Sequence, residues 1–535
     1  MKVLIADDVS ERAVELLRSD PSWQVVDLAR AGKMDAAQRK QRLVEEIQEA
    51  DALVVRSATK VNADLLEQAP RLRVVGRAGV GVDNVDLDAA TRKGVVVMNT
   101  PGGNAESVAE QTLALMLALA RRIPQADASL KQGRWEKKSF LGQELRGKAL
   151  GLVGFGRIGA EVARLAQAFG MQVTAYDPHI PPRLASEADV KLVSLEEIFS
   201  ASDFISLHAS ATPESRHLVN ARTLALVRLG VRLVNCARGE LVDEAALLAA
   251  INDGRVAGAG LDVFETEPPK DSPLVAHPSV IATPHIAGST EEAQEIVGIR
   301  VAEQVRDYLA HGTVRNAVNL PALSAEEYRR LQPYLQLGEK LGAFLGQIGG
   351  RPLSEIRISY DGGLAELNTH LVKNAVLKGL LDQTLSEEEV NLVNAGSLAH
   401  HVGLEVVEVR SARRAHLSNS LGLALRSGSE VASVLGTVGP RGSLRILGIN
   451  DIDVEAPLGG VILFIHNQDV PGVIGRVGTL LGERQINIAN FALGRNPQLS
   501  EAIGLVSVDH HIPPDVLSDL RSIPAIQRAQ LVELG

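Results

Sequence analysis

Arg238, Glu267 and His285 bring a cation, a carboxylate and an imidazole into one short span of the chain. Arg238 and His285 each come just after an apolar run typical of a buried strand, and Glu267 lies in a loop that begins at Asp262. The carboxyl ends of parallel strands open onto a common ligand crevice, so we expect the three side chains to meet there. Taken alone, the arginine also fits a cap of the turn at Gly239, and the histidine a structural residue.

The chemistry that this combination favours is the oxidation of a 2-hydroxy acid. An arginine stays charged at every relevant pH and binds a carboxylate through two parallel hydrogen bonds. If Glu267 accepts a hydrogen bond from one ring nitrogen of His285, it fixes the tautomer and favours the imidazolium. The other nitrogen is then left for the substrate hydroxyl proton. The pattern therefore predicts a proton-transfer site that needs a separate hydride acceptor.

A glycine-rich turn upstream provides the place for that acceptor. Gly154, Gly156 and Gly159 stand between an apolar strand and an amphipathic helix, and Asp177 ends the next strand. Such glycines let the backbone approach a pyrophosphate at a helix N-terminus. The acid accepts hydrogen bonds from the adenosine ribose and repels a 2′-phosphate. The turn therefore predicts NAD, in preference to NADP, against the alternative of a plain tight turn.

Length and composition limit the fold and the partners. At 535 residues the chain predicts roughly three or four domains. Its net charge of -10 argues against a nucleic acid or an anionic membrane as the main partner. Cys236 is the only cysteine, so no intrachain disulfide can form. No signal-peptide pattern and no membrane-spanning apolar run is visible, so we expect a cytoplasmic protein, and no metal site is predicted.

Short β-branched runs alternate with helical patterns from the first residues, which predicts an α/β fold. From Asn104, a predicted N-cap, apolar residues recur at helical spacing as far as Arg121 and Arg122. Six strands separated by helical segments follow, as a doubly wound dinucleotide-binding domain requires. The next helix is predicted to begin at Ser289, with Glu292 in a capping-box spacing.

Five segments carry a resemblance to a known family: VVGRAGVGVDNVDLDAATRKGVVVMNTP, GLVGFGRIG, NCARGELVDEAAL, AGLDVFETEP and TPHIAGST. Over essentially its whole length the sequence resembles the D-2-hydroxyacid dehydrogenase family, in its long form with four domains. The resemblance implies a Rossmann-type NAD domain at 100–284, inserted in a flavodoxin-like substrate-binding domain made of 1–99 and 285–318. It also implies an α+β intervening domain at 319–455, similar to allosteric substrate-binding domains, and a ferredoxin-like ACT domain at 459–535.

The resemblance also implies the roles of individual residues. Arg238 becomes the substrate-binding arginine, Glu267 the orienting glutamate and His285 the acid–base residue, while Asp262 matches the aspartate that contacts the nicotinamide amide. The implied cofactor-binding set is Gly154, Gly156, Arg157, Ile158, Gly159, Asp177, Cys236, Ala237, Arg238, Asp262 and His285. One departure is Ala209, where relatives commonly carry threonine or leucine, so a hydroxyl contact to the cofactor from this position is lost.

The activity that the resemblance implies is oxidation of D-3-phosphoglycerate to 3-phosphohydroxypyruvate with NAD, the first step of L-serine biosynthesis. The implied substrate-binding residues are Arg56, Ala78, Gly79, Asn104 and Arg238, with backbone amides contributing from Ala78 to Gly81. Arg56 matches a bidentate phosphate donor. Lys137 or Arg134 could reach the phosphate across a dimer interface. Each of these basic side chains also fits a solvated surface charge.

The C-terminal segments VILFIHN, PGVIGRVGTLLGERQ, INIANFALG, EAIGLVSVD, PPDVLSDLRSI and QRAQLVEL give the order β, α, β, β, α, β of a ferredoxin-like unit. Its resemblance to an ACT domain implies L-serine as effector at an interface of two such units, bound by Asn467, Asp469 and Asn487. A domain that serves only for dimerisation is the open alternative. In the intervening domain a basic cluster could bind an anion, but an exposed charged strand is favoured. The cluster comprises Arg410, Arg413, Arg414 and His416.

Two other functions remain open at this point. One is a general 2-hydroxyacid or hydroxypyruvate reductase, and the other is a non-catalytic NAD-sensing binding protein similar to transcriptional corepressors on this fold. The complete catalytic set and the ACT-like segment weigh against the second. We expect a homodimer through the long helix after Asn104, or a homotetramer, extended by pairing of ACT domains.

Overall fold

The computed structural model describes residues 1–32, 34–321, 325–383, 385, 390–411 and 419–534. Within these residues the strands form four sheets, of five, seven, six and four strands in chain order. The two N-terminal sheets are parallel, whereas the two C-terminal sheets are mainly antiparallel. No helix in the described part of the chain is long and apolar enough to cross a membrane.

The first sheet has the order β2-β1-β3-β4-β5, which is the flavodoxin-like order. Its strands are β1 (Lys2–Ile5), β2 (Gln24–Asp27), β3 (Ala52–Val55), β4 (Val74–Arg77) and β5 (Val96–Met98). Its crossover helices are α1 (Glu11–Arg18), α2 (Ala36–Ile47), α3 (Ala63–Glu67) and α4 (Leu87–Arg92). Alternate residues enter different cores, because Val3 and Ile5 pack on one face and Leu4 on the other. The sheet is therefore covered on both faces.

The second sheet has the order β12-β11-β10-β9-β6-β7-β8, a Rossmann arrangement with one further strand. Its strands are β6 (Ala149–Val153), β7 (Gln172–Tyr176), β8 (Lys191–Leu192), β9 (Phe204–Leu207), β10 (Val231–Asn235), β11 (Val256–Leu261) and β12 (Val280–Ala282). Its helices are α5 (Ala105–Arg121), α6 (Ile123–Lys131), α7 (Arg157–Ala168), α8 (Pro182–Glu187), α9 (Leu195–Ala201), α10 (Ala221–Leu224) and α11 (Glu244–Asn252). The sequence predicted six strands. The seventh, β8, is a two-residue edge strand, too short to give a hydrophobic pattern.

Helix α12 (Glu291–His311) returns the chain to the first sheet, where it packs against α1 and β4. The capping box predicted at Ser289 is wrong, because the N-cap is Thr290, whose hydroxyl accepts from the amide of Ala293. Thr290 also contacts the hydroxyl of Ser107 on α5 (2.7 Å). Asn104 does precede α5, but its side chain makes no capping hydrogen bond. The hydroxyls of Thr290 and Ser107 therefore join the two helices at which the chain crosses between the sheets.

The third and fourth sheets form the C-terminal half. Helix α13 (Ala325–Ile348) leads into β13 (Glu355–Gly362), α14 (His370–Asp382), α15 (Ala395–His401), β14 (Glu405–Ser411), β15 (Asn419–Ser427), β16 (Glu430–Val438), β17 (Leu444–Ile449) and β18 (Ile452–Pro457). The last unit comprises β19 (Gly460–Gln468), α16 (Val473–Glu483), β20 (Ile488–Asn496), β21 (Glu501–Val508), α17 (Pro514–Arg521) and β22 (Ile526–Leu534). Its sheet order, β20-β21-β19-β22, confirms the predicted ferredoxin-like unit.

The fourth sheet has both faces covered within one chain. Leu463 and Val506 face helices α16 and α17, whereas Phe464 on β19 faces the intervening unit. Phe464 meets Phe344 of α13 edge to face, with ring centroids 6.3 Å apart. At Gly494 on β20 an added Cβ would lie 2.4 Å from the carbonyl oxygen of Asp453 on β18. The two C-terminal units therefore share a continuous apolar core.

Candidate active site

A cleft of about 730 Å³ lies between the two N-terminal sheets. Its walls are loops that follow β3, β4 and β5 of the first sheet and β9 to β12 of the second. This placement follows from the rule that ligand crevices open at the carboxyl ends of parallel strands. The predicted residues that line the cleft are Arg56, Ala78, Gly79, Asn104, Ile158, Cys236, Ala237, Arg238, Glu267 and His285.

The acid–base pair forms as predicted. Nδ1 of His285 donates to Oε2 of Glu267 at 2.8 Å, and Oε1 of Glu267 accepts from the amide of Phe264 at 3.2 Å. The hydrogen bond from His285 to Glu267 raises the pKa of the imidazole, although burial opposes the shift. Burial acts to raise the pKa of Glu267, but the hydrogen bond and charge of His285 and the nearby Arg238 lower it. The Nε2 atom of His285 makes no hydrogen bond within the described residues, so this ring nitrogen is left for a ligand.

The loop that carries His285 is fixed by a buried carboxylate. Asp262, at the end of β11, is wholly buried and accepts from the hydroxyl of Thr283 (2.5 Å) and the amides of Ile286 (2.9 Å) and Ala287 (2.8 Å). These bonds hold His285 at a φ of 52°, a conformation that non-glycine residues rarely adopt. In the structure the carboxylate of Asp262 fixes the histidine loop, and its expected contact with the nicotinamide stays a prediction.

Arg238 is held from both sides of the cleft. Its Nη1 donates to the carbonyl of Ala237 (2.7 Å), and its Nη2 pairs with Oδ2 of Asp83 at 3.0 Å, from the loop after β4. Asn235, the last residue of β10, accepts from the amide of Ala237 and donates to the carbonyl of Arg238. The turn at Gly239 lies so close to Phe264 that an added Cβ would be 1.9 Å from its carbonyl carbon. Arg238 is thereby brought to the Glu267 loop.

Arg77 is the residue that the sequence analysis missed. It ends β4, lines the same cleft as Arg56 and Arg238, and has a buried Nε without a hydrogen-bond partner within the described residues. Burial lowers the pKa of Arg77, and the charges of Arg238 and Arg56 lower it further, while Asp83 raises it. Buried donors normally have partners, so the unpaired Nε is an unusual feature of this side chain. The strand-end rule that selected Arg238 would also have selected Arg77.

The backbone amides after β4 differ from the prediction. The amide of Ala78 donates to the carbonyl of Val55 and that of Gly79 to the carbonyl of Arg77, so neither is free for substrate. The pairing of β4 with β3 uses the amide of Ala78, and a tight turn uses the amide of Gly79. Those of Val80 and Gly81 make no backbone hydrogen bond in the described chain. An added Cβ at Gly79 would lie 1.9 Å from Nη1 of Arg77, so a side chain at this position would have to displace that guanidinium.

Two other predicted substrate groups differ in their placement. Asn104 lines the cleft with its buried Oδ1 lacking a hydrogen-bond partner among the described residues. Arg56 is fixed by its backbone, whose amide donates to Oδ2 of Asp7 (2.7 Å), and its guanidinium reaches the carbonyl of Asp8 (3.4 Å). Lys137 and Arg134 lie on an exposed segment and do not line the cleft of their own chain.

The glycine turn fits a dinucleotide. Gly154 has a φ of 95° and packs against the backbone of His208, and an added Cβ at Gly159 would lie 2.4 Å from the carbonyl oxygen of Gly154. At Gly156 an added Cβ would meet nothing within 4 Å, so that side of the turn is open to a ligand. Asp177 accepts from the amides of Phe155 and His179, one per carboxylate oxygen, which leaves further lone pairs for ribose hydroxyls.

The other residues around the turn have distinct positions. Nη1 of Arg157 donates to the carbonyl of Pro101, in the segment between β5 and α5, at 2.6 Å, and Arg157 does not line the cleft. Burial raises the pKa of Cys236 to about 12, so its thiol stays protonated. Burial lowers the pKa of His208 to about 4, and its Nε2 contacts the hydroxyl of Ser206 at 2.9 Å. His208 is therefore a neutral residue of the cleft wall.

The predicted effector residues do not meet within one chain. Asp469 follows β19 and pairs with Arg495, whereas Asn487 precedes β20 and donates to Asp509. Strand register places these two residues at opposite ends of the fourth sheet. Asn467 is buried and donates to a neighbouring carbonyl. Within one chain these three residues therefore do not line a common site.

The basic cluster of the intervening unit is only partly described. Nη2 of Arg410, near the end of β14, donates to the buried hydroxyl of Thr369 at 2.7 Å. The predicted members Arg413, Arg414 and His416 lie outside the described residues. Arg410 therefore has a partner within its own domain.

Three family models match the chain. Residues 113–287 match the NAD binding domain of D-isomer specific 2-hydroxyacid dehydrogenase. Residues 330–450 match the D-3-phosphoglycerate dehydrogenase intervening domain, and 461–525 match the ACT domain. These matches confirm the predicted fold class, and an NAD-binding domain confirms the predicted cofactor.

Known proteins are similar over the same regions. A D-3-phosphoglycerate dehydrogenase of Methanocaldococcus jannaschii is 41% identical over 537 residues and covers 100% of both chains. One of Bacillus subtilis is 40% identical over 534 residues, covering 100% of this chain and 99% of its own. A solved D-lactate dehydrogenase of Aquifex aeolicus, complexed with NAD and lactic acid, is 31% identical with a TM-score of 0.51, covering 60% of this chain and 100% of its own. By these matches, the chain belongs to the D-3-phosphoglycerate dehydrogenase family.

Proposed function

We propose that the protein oxidises D-3-phosphoglycerate to 3-phosphohydroxypyruvate with NAD, as the first step of L-serine biosynthesis. The observation that carries the proposal is the composition of one cleft, which holds the His285–Glu267 pair, Arg238, and two further arginines, Arg56 and Arg77. This substrate offers an alcohol, a carboxylate and a phosphate. Each of the three groups therefore has a matching side chain.

The proposed reaction is a proton transfer coupled to a hydride transfer. Bound NAD supplies the hydride acceptor. Arg238 holds the substrate carboxylate, and Nε2 of His285 accepts the hydroxyl proton as the carbonyl forms. The carboxylate of Glu267 stabilises the resulting imidazolium through Nδ1. The turn at Gly154 and the carboxylate of Asp177 fit the pyrophosphate and the adenosine ribose.

The proposal is tested by steady-state formation of NADH from D-3-phosphoglycerate, with hydrazine added to trap the keto product. We expect kcat/KM for D-3-phosphoglycerate to exceed that for D-glycerate, which lacks the phosphate. Turnover of hydroxypyruvate or glyoxylate with NADH, without oxidation of D-3-phosphoglycerate, would instead favour the general 2-hydroxyacid reductase. Binding of NAD without any turnover would favour the sensing protein.

Replacing Arg77 by glutamine should raise KM for D-3-phosphoglycerate roughly 10- to 150-fold, since a hydrogen bond to a charged group contributes about 1.5–3 kcal/mol. The KM for D-glycerate should change little, because it has no phosphate to lose. Steady-state kinetics with both substrates measures the ratio. Arg92→Gln is the matched control, because Arg92 is exposed on α4 outside the cleft. An equal loss on both substrates would contradict phosphate binding by Arg77.

The proposal includes a cytoplasmic homodimer or homotetramer that responds to L-serine. Four large apolar side chains are exposed on the segment after α5: Trp135 (82% accessible), Leu141 (87%), Ile123 and Leu130. Such a patch favours a subunit interface, from which Lys137 or Arg134 would approach the partner's cleft. The separation of Asp469 and Asn487 within one chain also favours pairing of ACT domains. Solution mass and the assay with added L-serine test these proposals.

A further inference from the structure

We infer that Asp83 is a positioning residue for the substrate carboxylate, because it clamps one edge of the Arg238 guanidinium and leaves the other edge for the ligand. The inference rests on the proposed function, in which Arg238 holds that carboxylate. Asp83 lies in the loop after β4 of the first sheet, and Arg238 follows β10 of the second. The pair therefore spans the cleft.

One hydrogen bond and one ion-pair contact with Asp83 define which edge of the Arg238 guanidinium is used. Nη2 of Arg238 lies 3.0 Å from Oδ2 of Asp83, and Nε donates to Oδ1 at 3.4 Å, so the carboxylate occupies the side formed by Nε and Nη2. Nη1 donates to the carbonyl of Ala237 at 2.7 Å. Of the five N–H donors of a guanidinium, Nε and one on Nη1 are hydrogen-bonded and one on Nη2 faces Oδ2 of Asp83 in the ion pair, so one on Nη1 and one on Nη2 remain. These two form the fork that a second carboxylate accepts in parallel.

The loop around Asp83 is shaped to receive this pair. At Gly81 an added Cβ would lie 2.2 Å from Nη2 of Arg238 and 2.7 Å from Oδ2 of Asp83. A side chain at this position would therefore displace both partners. The backbone of the loop closes directly on the ion pair, which restricts where the guanidinium can lie.

The pair is too exposed to serve mainly for stability. Asp83 is 67% accessible and Arg238 27% accessible as side chains. Exposed ion pairs contribute little to folding because water and salt screen them. We instead expect Asp83 to orient the guanidinium of Arg238, which has to bind one end of a small substrate.

Neighbouring charges explain why that orientation needs a fixed partner. Arg56, Arg77 and Arg238 line one cleft and their like charges repel one another. Asp83 interacts favourably with both Arg77 and Arg238. A substrate with an anion at each end would bind in two directions if the arginines were free to exchange roles. Of these arginines, Arg238 is the one whose guanidinium Asp83 contacts directly, and this contact reserves it for the carboxylate end.

Replacing Asp83 by asparagine tests the inference, since the amide keeps the shape but puts an N–H donor against the guanidinium. We expect KM for D-3-phosphoglycerate to rise about tenfold, as for loss of one charge-assisted interaction, with kcat changed less than about threefold. The KM for NAD should stay unchanged. Asp83→Glu should restore part of the affinity. Asp88→Asn is the matched control, because Asp88 is exposed in the first turn of α4.

A second background separates positioning from a general loss of charge. In Arg238→Lys the ammonium has no planar fork to be clamped, so adding Asp83→Asn should change KM less than about twofold. If Asp83→Asn raised KM in the Arg238→Lys background as much as in the unsubstituted enzyme, the inference would be refuted. A lower KM in Asp83→Asn alone would also refute it, because Asp83 would then compete with substrate for Arg238. Equal behaviour of Asp83→Asn and Asp88→Asn would also refute it. Failure of the unsubstituted enzyme to oxidise D-3-phosphoglycerate would instead refute the proposed function.

Discussion

His285→Ala is expected to lower kcat for oxidation of D-3-phosphoglycerate roughly 1,000-fold, within the range for loss of a general base. The substitution removes Nε2, the acceptor of the hydroxyl proton, but none of the arginines that bind substrate. His208 cannot replace it, because burial holds the pKa of His208 at about 4 and its Nε2 contacts Ser206. Steady-state NADH formation measures kcat, and fluorescence titration measures NAD affinity, which should change little.

The control for this substitution is His510→Ala, an exposed histidine of the C-terminal unit, which should keep the unsubstituted rate. If His285→Ala retains more than about a tenth of kcat, proton transfer by His285 is excluded as an important step. Weakened NAD binding with an unchanged kcat would assign the residue to the cofactor.

The dependence of kcat/KM on pH provides a second test of the role of His285. Oxidation needs His285 neutral, and the hydrogen bond to Glu267 raises its pKa above 6.5, so kcat/KM should rise with pH through an inflection above 6.5. Below that inflection the imidazolium cannot accept the proton. In Glu267→Gln the stabilising charge is lost while burial still disfavours the imidazolium. The inflection should therefore move down, and an unmoved inflection would mean that another group titrates.

The grouping of the candidate catalytic residues could be predicted because it depends on residues at strand ends, which a hydrophobic pattern locates. Arg238, Glu267 and His285 follow three neighbouring strands, so one rule of α/β sheets brings them together. The glycine turn was predictable for a similar reason, since its spacing reflects backbone geometry. The order of strands and helices along the ferredoxin-like unit also followed from local patterns, whereas the flavodoxin-like first sheet was implied by the family resemblance.

The parts that could not be predicted depend on contacts between distant segments. Asp83 and Arg238 are 155 positions apart, and only the closure of two sheets on one cleft makes them neighbours. Asp262 lies at the predicted strand end, but the sequence does not show in which direction its carboxylate points. In the structure the carboxylate points into the protein, where it fixes the loop that carries His285. Asp469 and Asn487 are close in sequence, yet strand register separates them.

Gly239→Ala is expected to lower kcat/KM for D-3-phosphoglycerate at least about 100-fold, because misplacing catalytic groups by about 1 Å has effects of this size. An added Cβ would lie 1.9 Å from the carbonyl carbon of Phe264, 2.0 Å from its oxygen and 2.5 Å from the amide nitrogen of Glu265. All three are backbone atoms, so no side-chain rotation can relieve the overlap. The turn that carries Arg238 or the loop that carries Glu267 has to move.

The effect of the displaced loop on activity can be measured separately from any loss of stability. Overpacking of this kind lowers the free energy of unfolding by about 1–3 kcal/mol, which urea unfolding measures. The protein that remains folded should still show a lower inflection in the dependence of kcat/KM on pH, as in Glu267→Gln. Gly478→Ala is the control, because its added Cβ meets nothing within 4 Å on helix α16, where alanine is favoured over glycine by about 1 kcal/mol. Normal kcat/KM in Gly239→Ala would show that the two loops yield without moving their side chains. The catalytic geometry would then depend on the side-chain contacts alone, and the close approach at Gly239 would be without consequence for activity.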